Sequence, residues 1–320
     1  MDLKEINKIP KVELHLHLDG SISLDIASKL SNIPINELKN KMIAKDKCEN
    51  LSEYLTKFSF PISLMQTKEN LTLITKDLIN RLIKQNVVYA EIRFAPMFHT
   101  ELGLSYEEVV EAVLEGMESN KIKTNLILCL MRGMKDDNNL KTIEVAKKYL
   151  NKGVCAIDLA GDEIKYPTSN YVKYFEIAKK ENIPFTIHAG ESRGADEVMC
   201  AVNIGAKRIG HGVHCVEDES IVDIVKNNNV LLEICPTSNI QTNSIKSYNV
   251  HPIKELYEKG INICINTDNS TVSNIDLNNE YLKLHNILNF DLEDFKKINI
   301  MSINNAFISN KEKESLLKLF

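Results

Sequence analysis

Short apolar runs alternate with longer amphipathic stretches along most of this chain, and this alternation restricts the folds that the chain can adopt. Strands that alternate with helices form parallel sheets. We predict eight strands: Val12–Leu18, Val87–Phe94, Thr124–Met131, Val154–Leu159, Pro184–His188, Arg208–His211, Val230–Ile234 and Asn262–Asn266. Helical patterns between them are Tyr106–Asn120, Asn139–Asn151, Asn170–Asn182, Ala195–Gly205, Asp218–Asn228 and Pro252–Lys259. Eight such units favour an α/β fold of the (β/α)8, or TIM, barrel type over an open doubly wound sheet, and no Gly-x-Gly-x-x-Gly follows the first strand to suggest a dinucleotide site.

The connection between the first two strands is irregular in this pattern. A length of 320 residues, 43% of them hydrophobic, suits a single large domain over residues 1–320. Residues 21–85 are too long for a simple loop, and Leu51, Tyr54, Leu55 and Phe58 have helical spacing. Long insertions of this kind often act as lids. We predict a helical lid insertion at 21–85, although the spacing equally allows a helix packed on the side of the barrel.

Charge and cysteine usage exclude several classes of function. The net charge is −5 and the Lys and Arg residues are scattered, so we predict neither nucleic acid nor a membrane surface as a partner. The N-terminus is charged from its second residue, and no apolar run reaches membrane-spanning length. The seven cysteines are dispersed without a Cys-x-x-Cys pair, which is typical of reduced intracellular thiols. These features predict a cytoplasmic protein.

Two histidines in the first predicted strand indicate a metal site. His15 and His17 are one residue apart, and a strand directs residues i and i+2 to the same face. Both imidazoles therefore project together, as two ligands of one metal ion would. The pattern alone also fits histidines that only make hydrogen bonds in an apolar strand.

Other strand ends supply further donors. Barrel enzymes place reactive groups at the carboxyl ends of their strands. His188, Glu191, His211 and Asp268 all lie at or just beyond such ends. Three imidazoles and a carboxylate, from His15, His17, His188 and Asp268, would suit Zn²⁺ and leave a position for water. We predict one metal ion, since no strand end offers a second cluster of carboxylates.

Six motifs resemble those of the adenosine deaminases in the metal-dependent amidohydrolase group. They extend from the first strand to the last, in the order of that family. The motifs are His-Leu-His-Leu-Asp-Gly (15–20), Asp-Leu-Ala-Gly-Asp-Glu (158–163), His-Ala-Gly-Glu (188–191), Gly-His-Gly (210–212), Cys-Pro-Thr-Ser-Asn (235–239) and Asn-Thr-Asp (266–268). The segment 51–58 is similar to the family's apolar lid helix over the ribose. The resemblance implies the same barrel fold.

The resemblance also implies a zinc-dependent deamination. His15, His17, His188 and Asp268 match the ligands of one zinc ion per subunit. Zinc lowers the pKa of its bound water toward about 7. Asp268 is then the proton acceptor, and His211 matches the histidine beside that water. Glu191 matches the acid that protonates purine N1, a role that needs a carboxyl whose pKa is raised by an apolar setting.

Substrate contacts follow from the same resemblance. Asp19 matches a contact to the sugar hydroxyl side, and His17 lies on the same face of the strand. Gly161 matches a contact to purine N3, because a residue without Cβ lets the backbone approach a flat ring. The family often has a second aspartate after Asp268, where this chain has Asn269. An amide can donate to purine N7 without being protonated first.

The expected reaction is hydrolysis of adenosine and 2′-deoxyadenosine to the inosine nucleosides and ammonia, in purine salvage, with a small-molecule nucleoside as the partner. The alternatives are an adenine deaminase, a deaminase of a modified or phosphorylated nucleoside, and a catalytically silent purine-binding barrel. Asp158 and Ser238 are candidate supports for ligands and substrate. His214 is the rival of His211, which we prefer because it lies at the predicted strand end.

Overall fold

The structure is a computed structural model that describes residues 1–119 and 121–320. The described residues contain eight β-strands, and each hydrogen-bonded pair of neighbours is parallel. The strands are β1 (Lys11–His17), β2 (Val87–Phe94), β3 (Lys123–Met131), β4 (Val154–Ala160), β5 (Thr186–Ala189), β6 (Arg208–His211), β7 (Leu231–Ile234) and β8 (Asn262–Ile265).

Two sheets join at both edges into a closed barrel. β1 to β4 form one sheet in sequence order, and β5 to β8 form the other. A parallel bridge between Ile157 and Phe185 connects β4 to the segment before β5, and one between Leu16 and Asp268 connects β1 to the segment after β8. The predicted (β/α)8 barrel is confirmed. The carboxyl ends of all these parallel strands lie at one end of the barrel.

Predicted and observed strand ends differ by at most two residues, and the largest difference has a local cause. β5 begins at Thr186 rather than at Pro184. A proline has no N–H to donate to a ladder, although the Pro184 carbonyl still accepts the Ile157 N–H at 3.0 Å.

The helices lie around and between the strands. The α-helices are α1 (Leu3–Lys8), α2 (Leu24–Ser31), α3 (Ile35–Met42), α4 (Leu51–Leu55), α5 (Ser59–Leu64), α6 (Lys68–Lys84), α7 (Tyr106–Met117), α8 (Asp136–Tyr149), α9 (Val172–Lys180), α10 (Ala195–Ile204), α11 (Glu219–Asn227), α12 (Pro236–Gln241), α13 (Ile253–Glu258), α14 (Leu277–Leu288), α15 (Leu292–Asn305) and α16 (Asn310–Leu317). The 3-10 helices are Asp19–Ser21, Thr56–Phe58, Pro96–His99, Thr168–Tyr171, Val213–Glu217 and Tyr248–Val250.

The six helical patterns correspond to α7, α8, α9, α10, α11 and α13. Asn120, the predicted end of the first pattern, lies outside the described residues. α8 packs against β3 and β4, and α15 packs against β8 and β1. Within the described residues, no helix is both long enough and apolar enough to cross a membrane.

The connection between β1 and β2 contains two kinds of helix. α6 packs against α7 and leads into β2, as a helix of the outer ring does. α4 and the 3-10 helix Thr56–Phe58 instead border the central cavity, into which Leu51, Tyr54, Leu55 and Phe58 project. That this segment moves as a lid, that 21–85 is an insertion and that 1–320 is one domain stay predictions.

Candidate active site

A cavity of about 370 Å³ lies at the carboxyl end of the barrel strands. One wall is apolar and comes largely from the segment 51–62. The lining also includes ionisable groups that the sequence singled out. The polar residues that line the cavity are His17, Asp19, Ser59, Arg132, Asp162, His188, Glu191, His211, Asp268 and Asn269. A mainly apolar pocket with a few convergent polar groups is the usual form of a small-molecule site.

The four predicted metal ligands lie together at the base of this cavity. The Nε2 atoms of His17 and His188 are 3.3 Å apart. Asp268 Oδ1 lies 3.4 Å from Nε2 of His15 and 3.4 Å from Nε2 of His17. His211 joins the same cluster, since donor atoms of His15, His188, His211 and Asp268 all lie within 4.8 Å of one another.

The state of these groups fits a divalent cation. His15 Nε2 is buried and has no hydrogen-bond partner among the described residues. Burial lowers the pKa of His17 well below its ordinary value, which keeps the imidazole neutral as a metal ligand requires. Burial alone would raise the pKa of Asp268, but its contacts with His15 and the neighbouring histidines outweigh burial and lower it. Neutral imidazoles with a carboxylate are the donor set of many zinc sites.

Two buried carboxylates orient the ligating histidines from behind. Glu233 Oε2 lies 2.8 Å from Nδ1 of His15, and Asp158 Oδ2 lies 2.9 Å from Nδ1 of His188. A carboxylate accepts a hydrogen bond, so each Nδ1 carries the proton and each Nε2 presents its lone pair to the cluster. Asp158 therefore has the supporting position that the sequence predicted for it.

A buried network of charges lies beneath these carboxylates. Arg93 donates to Asp158 at 3.0 Å and to Glu233 at 2.8 Å. Arg208 donates to Glu233 at 2.7 Å and also pairs with Glu91. We call Glu91, Arg93, Asp158, Arg208 and Glu233 the charged floor; their side chains are at most 1% exposed. Through Arg93, the floor connects the supports of His15 and His188.

Unusual backbone conformations mark two residues of the cluster. Among the described non-glycine residues with positive φ, eight are asparagines and the other two are His211 (φ 60°) and Asp268 (φ 61°). Such conformations are uncommon for residues other than glycine and asparagine, and they concentrate at functional sites. Ser238 Oγ donates to Asp268 Oδ2 at 2.6 Å, which fixes that carboxylate. Ser238 is thus a support of the cluster, as its motif indicated.

Glu191 faces the cavity beside His211, with 3.7 Å between its Oε2 and His211 Nε2. Burial, with the negative charges of Asp268 and Glu163, raises its pKa well above the ordinary value. Glu191 precedes α10, and the N–H groups of this loop point elsewhere. Glu163 accepts the backbone N–H groups of residues 190, 191, 192 and 193, at 2.6, 3.1, 2.7 and 3.1 Å. The loop N–H groups therefore stabilise the Glu163 carboxylate rather than that of Glu191.

The predicted substrate contacts all line the cavity. Asp19 is buried, and burial raises the pKa of its carboxyl to about 7. Gly161 has φ +104°, which a glycine adopts easily and other residues rarely do. Asn269 lies next to Gly20, and its Oδ1 is buried without a hydrogen-bond partner in the described part of the chain. Substrate contacts at these residues stay predictions.

His214, the rival histidine, lies elsewhere. It borders a separate surface cavity with Val250 and Lys254, and its Nδ1 contacts Glu217 at 2.8 Å. His211 is the histidine that the fold brings into the central cavity.

Sequence reasoning assigned no role to several residues that organise the site. Glu233 is a charged residue within the apolar run 230–234, and a charge in a buried strand is a usable signal. Glu163 and Asn239 belong to motifs quoted above but had no role. Arg93 and Arg208 are likewise charged residues of predicted strands, but the sequence does not show which carboxylates they contact.

Comparison with known proteins extends over nearly the whole chain. The family model described as "Adenosine deaminase" matches residues 10–320. An adenosine deaminase of Clostridium acetobutylicum is 41% identical over 332 residues, covering 99% of this chain and 99% of the relative.

Two solved structures share the fold. Adenine deaminase from Arthrobacter aurescens has a TM-score of 0.88 at 26% identity, covering 97% of both chains. An Arabidopsis protein named ADAL, solved in complex with IMP, has a TM-score of 0.88 at 26% identity, covering 98% of this chain and 96% of that one.

Proposed function

The chain belongs to the adenosine deaminase family, and we propose that it hydrolyses adenosine and 2′-deoxyadenosine to the corresponding inosine nucleosides and ammonia. As a member of this family it is a hydrolytic deaminase. One observation carries the assignment of the site. Glu191, a buried carboxyl with a raised pKa, faces the same cavity as the cluster of imidazoles and Asp268.

We assign one zinc ion to His15, His17, His188 and Asp268. The unbonded Nε2 of His15 and the Nδ1 contacts of His15 and His188 support this set. A zinc ion held there would supply the Lewis acidity that makes water a nucleophile near neutral pH. His211 belongs to the same cluster, but we assign it to the reacting groups because its Nε2 lies near Glu191.

The side chains of the site then account for the proton movements. Water adds to purine C6 while Glu191 gives its proton to N1, so the ring does not acquire a full negative charge. Asp268 accepts a proton from the attacking water. Asp268 then gives its proton to the amino group, the C6–amino bond breaks and ammonia leaves. The C6 hydroxyl gives its proton to Glu191 as the carbonyl forms, so both carboxyl groups return to their starting states. Glu191 suits the first step because burial raises the pKa of its carboxyl well above the ordinary value.

The lining of the cavity supports a nucleoside rather than a nucleotide as substrate. Asp19 presents a carboxyl, at the sugar side in this assignment, which suits a hydroxyl and offers no positive charge to a phosphate. Arg132 is the one Arg or Lys among the described lining residues. Its Nη atoms already donate to the Tyr166 carbonyl, the Thr168 hydroxyl and the His188 carbonyl. The guanidinium is therefore committed to protein acceptors.

We also propose a cytoplasmic role in purine salvage, which the seven free cysteines support. Subcellular fractionation that places the protein outside the cytoplasm would overturn this part.

A substrate panel tests the proposed function. Purified zinc-loaded protein is given adenosine, 2′-deoxyadenosine, adenine and AMP, and ammonia release is followed together with metal content. We expect turnover of the two nucleosides, with adenine and AMP at least about tenfold poorer in kcat/KM. Turnover of adenine or AMP alone would replace this substrate assignment, and no turnover of any compound would favour a silent purine-binding barrel.

The acid role of Glu191 has its own test. We expect Glu191→Gln to retain its zinc and lose activity by about 10²–10⁴-fold, because the amide cannot give up a proton. Glu217→Gln is the matched control, since Glu217 lies in the same part of the chain with its side chain 54% exposed. Full activity in Glu191→Gln would remove the assignment.

A further inference from the structure

The inner face of His211 has a contact that the reaction does not explain. Nε2 of His211 faces the cavity, near Glu191. Its other nitrogen, Nδ1, points into the protein and lies 3.0 Å from Nδ2 of Asn239. Asn239 is completely buried in α12 and does not line the cavity. It is the last residue of the motif Cys-Pro-Thr-Ser-Asn.

Asn239 also contacts a second buried histidine. His251 is 4% exposed and follows the 3-10 helix Tyr248–Val250. Its Nε2 lies 3.3 Å from Oδ1 of Asn239. Three side chains from separate elements therefore form one chain of contacts, from His251 through the amide of Asn239 to His211.

The contact of His251 with Ile253 determines which groups donate and which accept in these hydrogen bonds. The backbone N–H of Ile253 donates to Nδ1 of His251 at 3.1 Å. A backbone N–H only donates, so Nδ1 of His251 carries no proton. Burial lowers the pKa of His251 to about 3, so its ring is neutral near pH 7. The one ring proton of His251 is consequently on Nε2, and it is donated to Asn239 Oδ1.

This direction passes through the amide to His211. With Oδ1 of Asn239 accepting from His251, its NH2 group faces His211 Nδ1 and donates to it. Nδ1 of His211 then has no proton, and the proton of its ring is on Nε2. Reversal of the Asn239 amide would place its NH2 group against the Nε2–H of His251. The other tautomer of His251 would place Nδ1–H against the N–H of Ile253. An unmet donor in a buried site is costly.

We propose that Asn239 and His251 are positioning residues that hold His211 in the Nε2–H tautomer, so that His211 donates a hydrogen bond into the cavity. This inference rests on the proposed function for its kinetic consequence, whereas the tautomer can be measured without turnover. His211 then steadies the attacking oxygen with its N–H and takes no proton from it. Asp268 is left as the acceptor of the water proton.

The tautomer can be read directly from nitrogen chemical shifts. The zinc-loaded protein is labelled with ¹⁵N-histidine, and correlations between ring nitrogens and ring carbon-bound hydrogens are recorded, with His211 identified by its loss in His211→Gln. We expect the proton of His211 on Nε2 and that of His251 also on Nε2. A proton on Nδ1 of His211 would overturn the proposal.

Asn239→Asp replaces the hydrogen-bond donor that faces Nδ1 of His211 with an acceptor. A carboxylate only accepts, so it favours a proton on Nδ1. We expect the His211 pattern to change to a protonated Nδ1 and kcat to fall about 100-fold, with KM changed less than about threefold. The matched control is Asn249→Asp, which adds the same charge at an exposed asparagine two residues before His251. The control should keep both the His211 pattern and kcat.

Replacements of His251 test the same series of hydrogen bonds without a new charge near His211. His251→Gln can still donate to Asn239 Oδ1, and we expect the wild-type tautomer and a kcat within about threefold. His251→Met cannot donate, so the amide can reverse and kcat should fall about tenfold. This pair decides the question if Asn239→Asp does not fold. Equal kcat and an unchanged His211 tautomer in both variants would overturn the proposal, whereas an inactive wild type with the expected tautomer would refute the proposed function alone.

Discussion

The charged floor and the cavity above it are both buried, but they satisfy their polar groups in opposite ways. In the floor, Arg93 and Arg208 pair with Asp158, Glu233 and Glu91 within the chain, although Arg93 Nε has no hydrogen-bond partner among the described residues. In the cavity, His15 Nε2 and Asn269 Oδ1 have no hydrogen-bond partner in the described chain. Burial also raises the pKa of Asp19 to about 7 and that of Glu191 well above its ordinary value.

This difference distinguishes polar groups that support the structure from polar groups that are available to a ligand. Buried polar groups in folded proteins are nearly always hydrogen-bonded, so each exception requires an explanation. The floor has charged partners because its task is to hold the Nδ1 sides of His15 and His188. The cavity groups are left for a metal ion and a substrate to satisfy. The following variants test that distinction.

The largest effect is expected from Arg93→Met. This change leaves Asp158 and Glu233 without the cation between them, and an uncompensated buried charge lowers the free energy of unfolding by about 3–5 kcal/mol. Denaturant unfolding of chelator-treated protein measures it. The control is Lys147→Met, which breaks a surface pair with Glu181 and should change stability by about 0.5 kcal/mol or less. Equal small losses in both variants would mean that the floor does not depend on its charges.

Glu163→Gln tests a group between the two regions. The Glu163 carboxylate accepts four backbone N–H groups of the loop that carries Glu191. An amide directs its own N–H groups at some of these donors, so the loop should shift. We expect kcat to fall about 10–100-fold with zinc content unchanged. Glu219→Gln, at an exposed residue, should leave both unchanged. A loss of zinc with normal kcat per bound ion would instead make Glu163 part of the metal support.

The sequence predicted more of the cavity than of the floor. His15, His188, Glu191 and Asp268 all lie within about three residues of a strand's carboxyl end, and the parallel arrangement of a barrel brings such ends together whatever their separation in sequence. The fold and the donor set therefore followed from periodicity and strand ends, and the motifs assigned roles to the donors.

The floor could not be predicted in this way. Arg93 joins Asp158 and Glu233, which are 65 and 140 residues away. These contacts depend on which side chains point inward and on the register of non-neighbouring strands. The hydrogen bonds from His251 through Asn239 to His211 likewise depend on the position of the loop that carries His251. Neither arrangement has a local sequence pattern.

His99→Leu tests a histidine that is buried but lies outside the cavity, and so is not expected to bind metal or substrate. His99 is completely buried beside Phe94 and lies outside the lining of the cavity. Burial lowers its pKa to about 3, below the ordinary 6.5, so the unfolded state binds more protons between these values. Stability is therefore lost as the pH falls below 6.5, at up to about 1.4 kcal/mol per pH unit.

Between about pH 6.5 and pH 5 the free energy of unfolding should fall in the wild type. In His99→Leu we expect that fall to be about 2 kcal/mol smaller. Unfolding is measured at both values with chelator present, so that metal loss contributes equally. Zinc affinity and kcat at neutral pH should stay as in the wild type. A change in either would assign His99 to the cavity groups.

The smallest effect is expected from Asn269→Asp. Asn269 is buried at the cavity, and its amide donates to purine N7 at any pH in the proposed complex. A carboxyl donates only while protonated, and burial with Asp19 and Asp268 in the same cavity raises its pKa. The variant should keep measurable adenosine deamination, but its kcat/KM relative to wild type should fall about three- to tenfold as the pH rises from about 6 to 8. Asn274→Asp, beyond the cavity at an exposed residue, provides the control for added charge. A profile identical to that of wild type would mean that Asn269 does not contact N7, and its unbonded Oδ1 would then belong, like His99, to the packing rather than to the site.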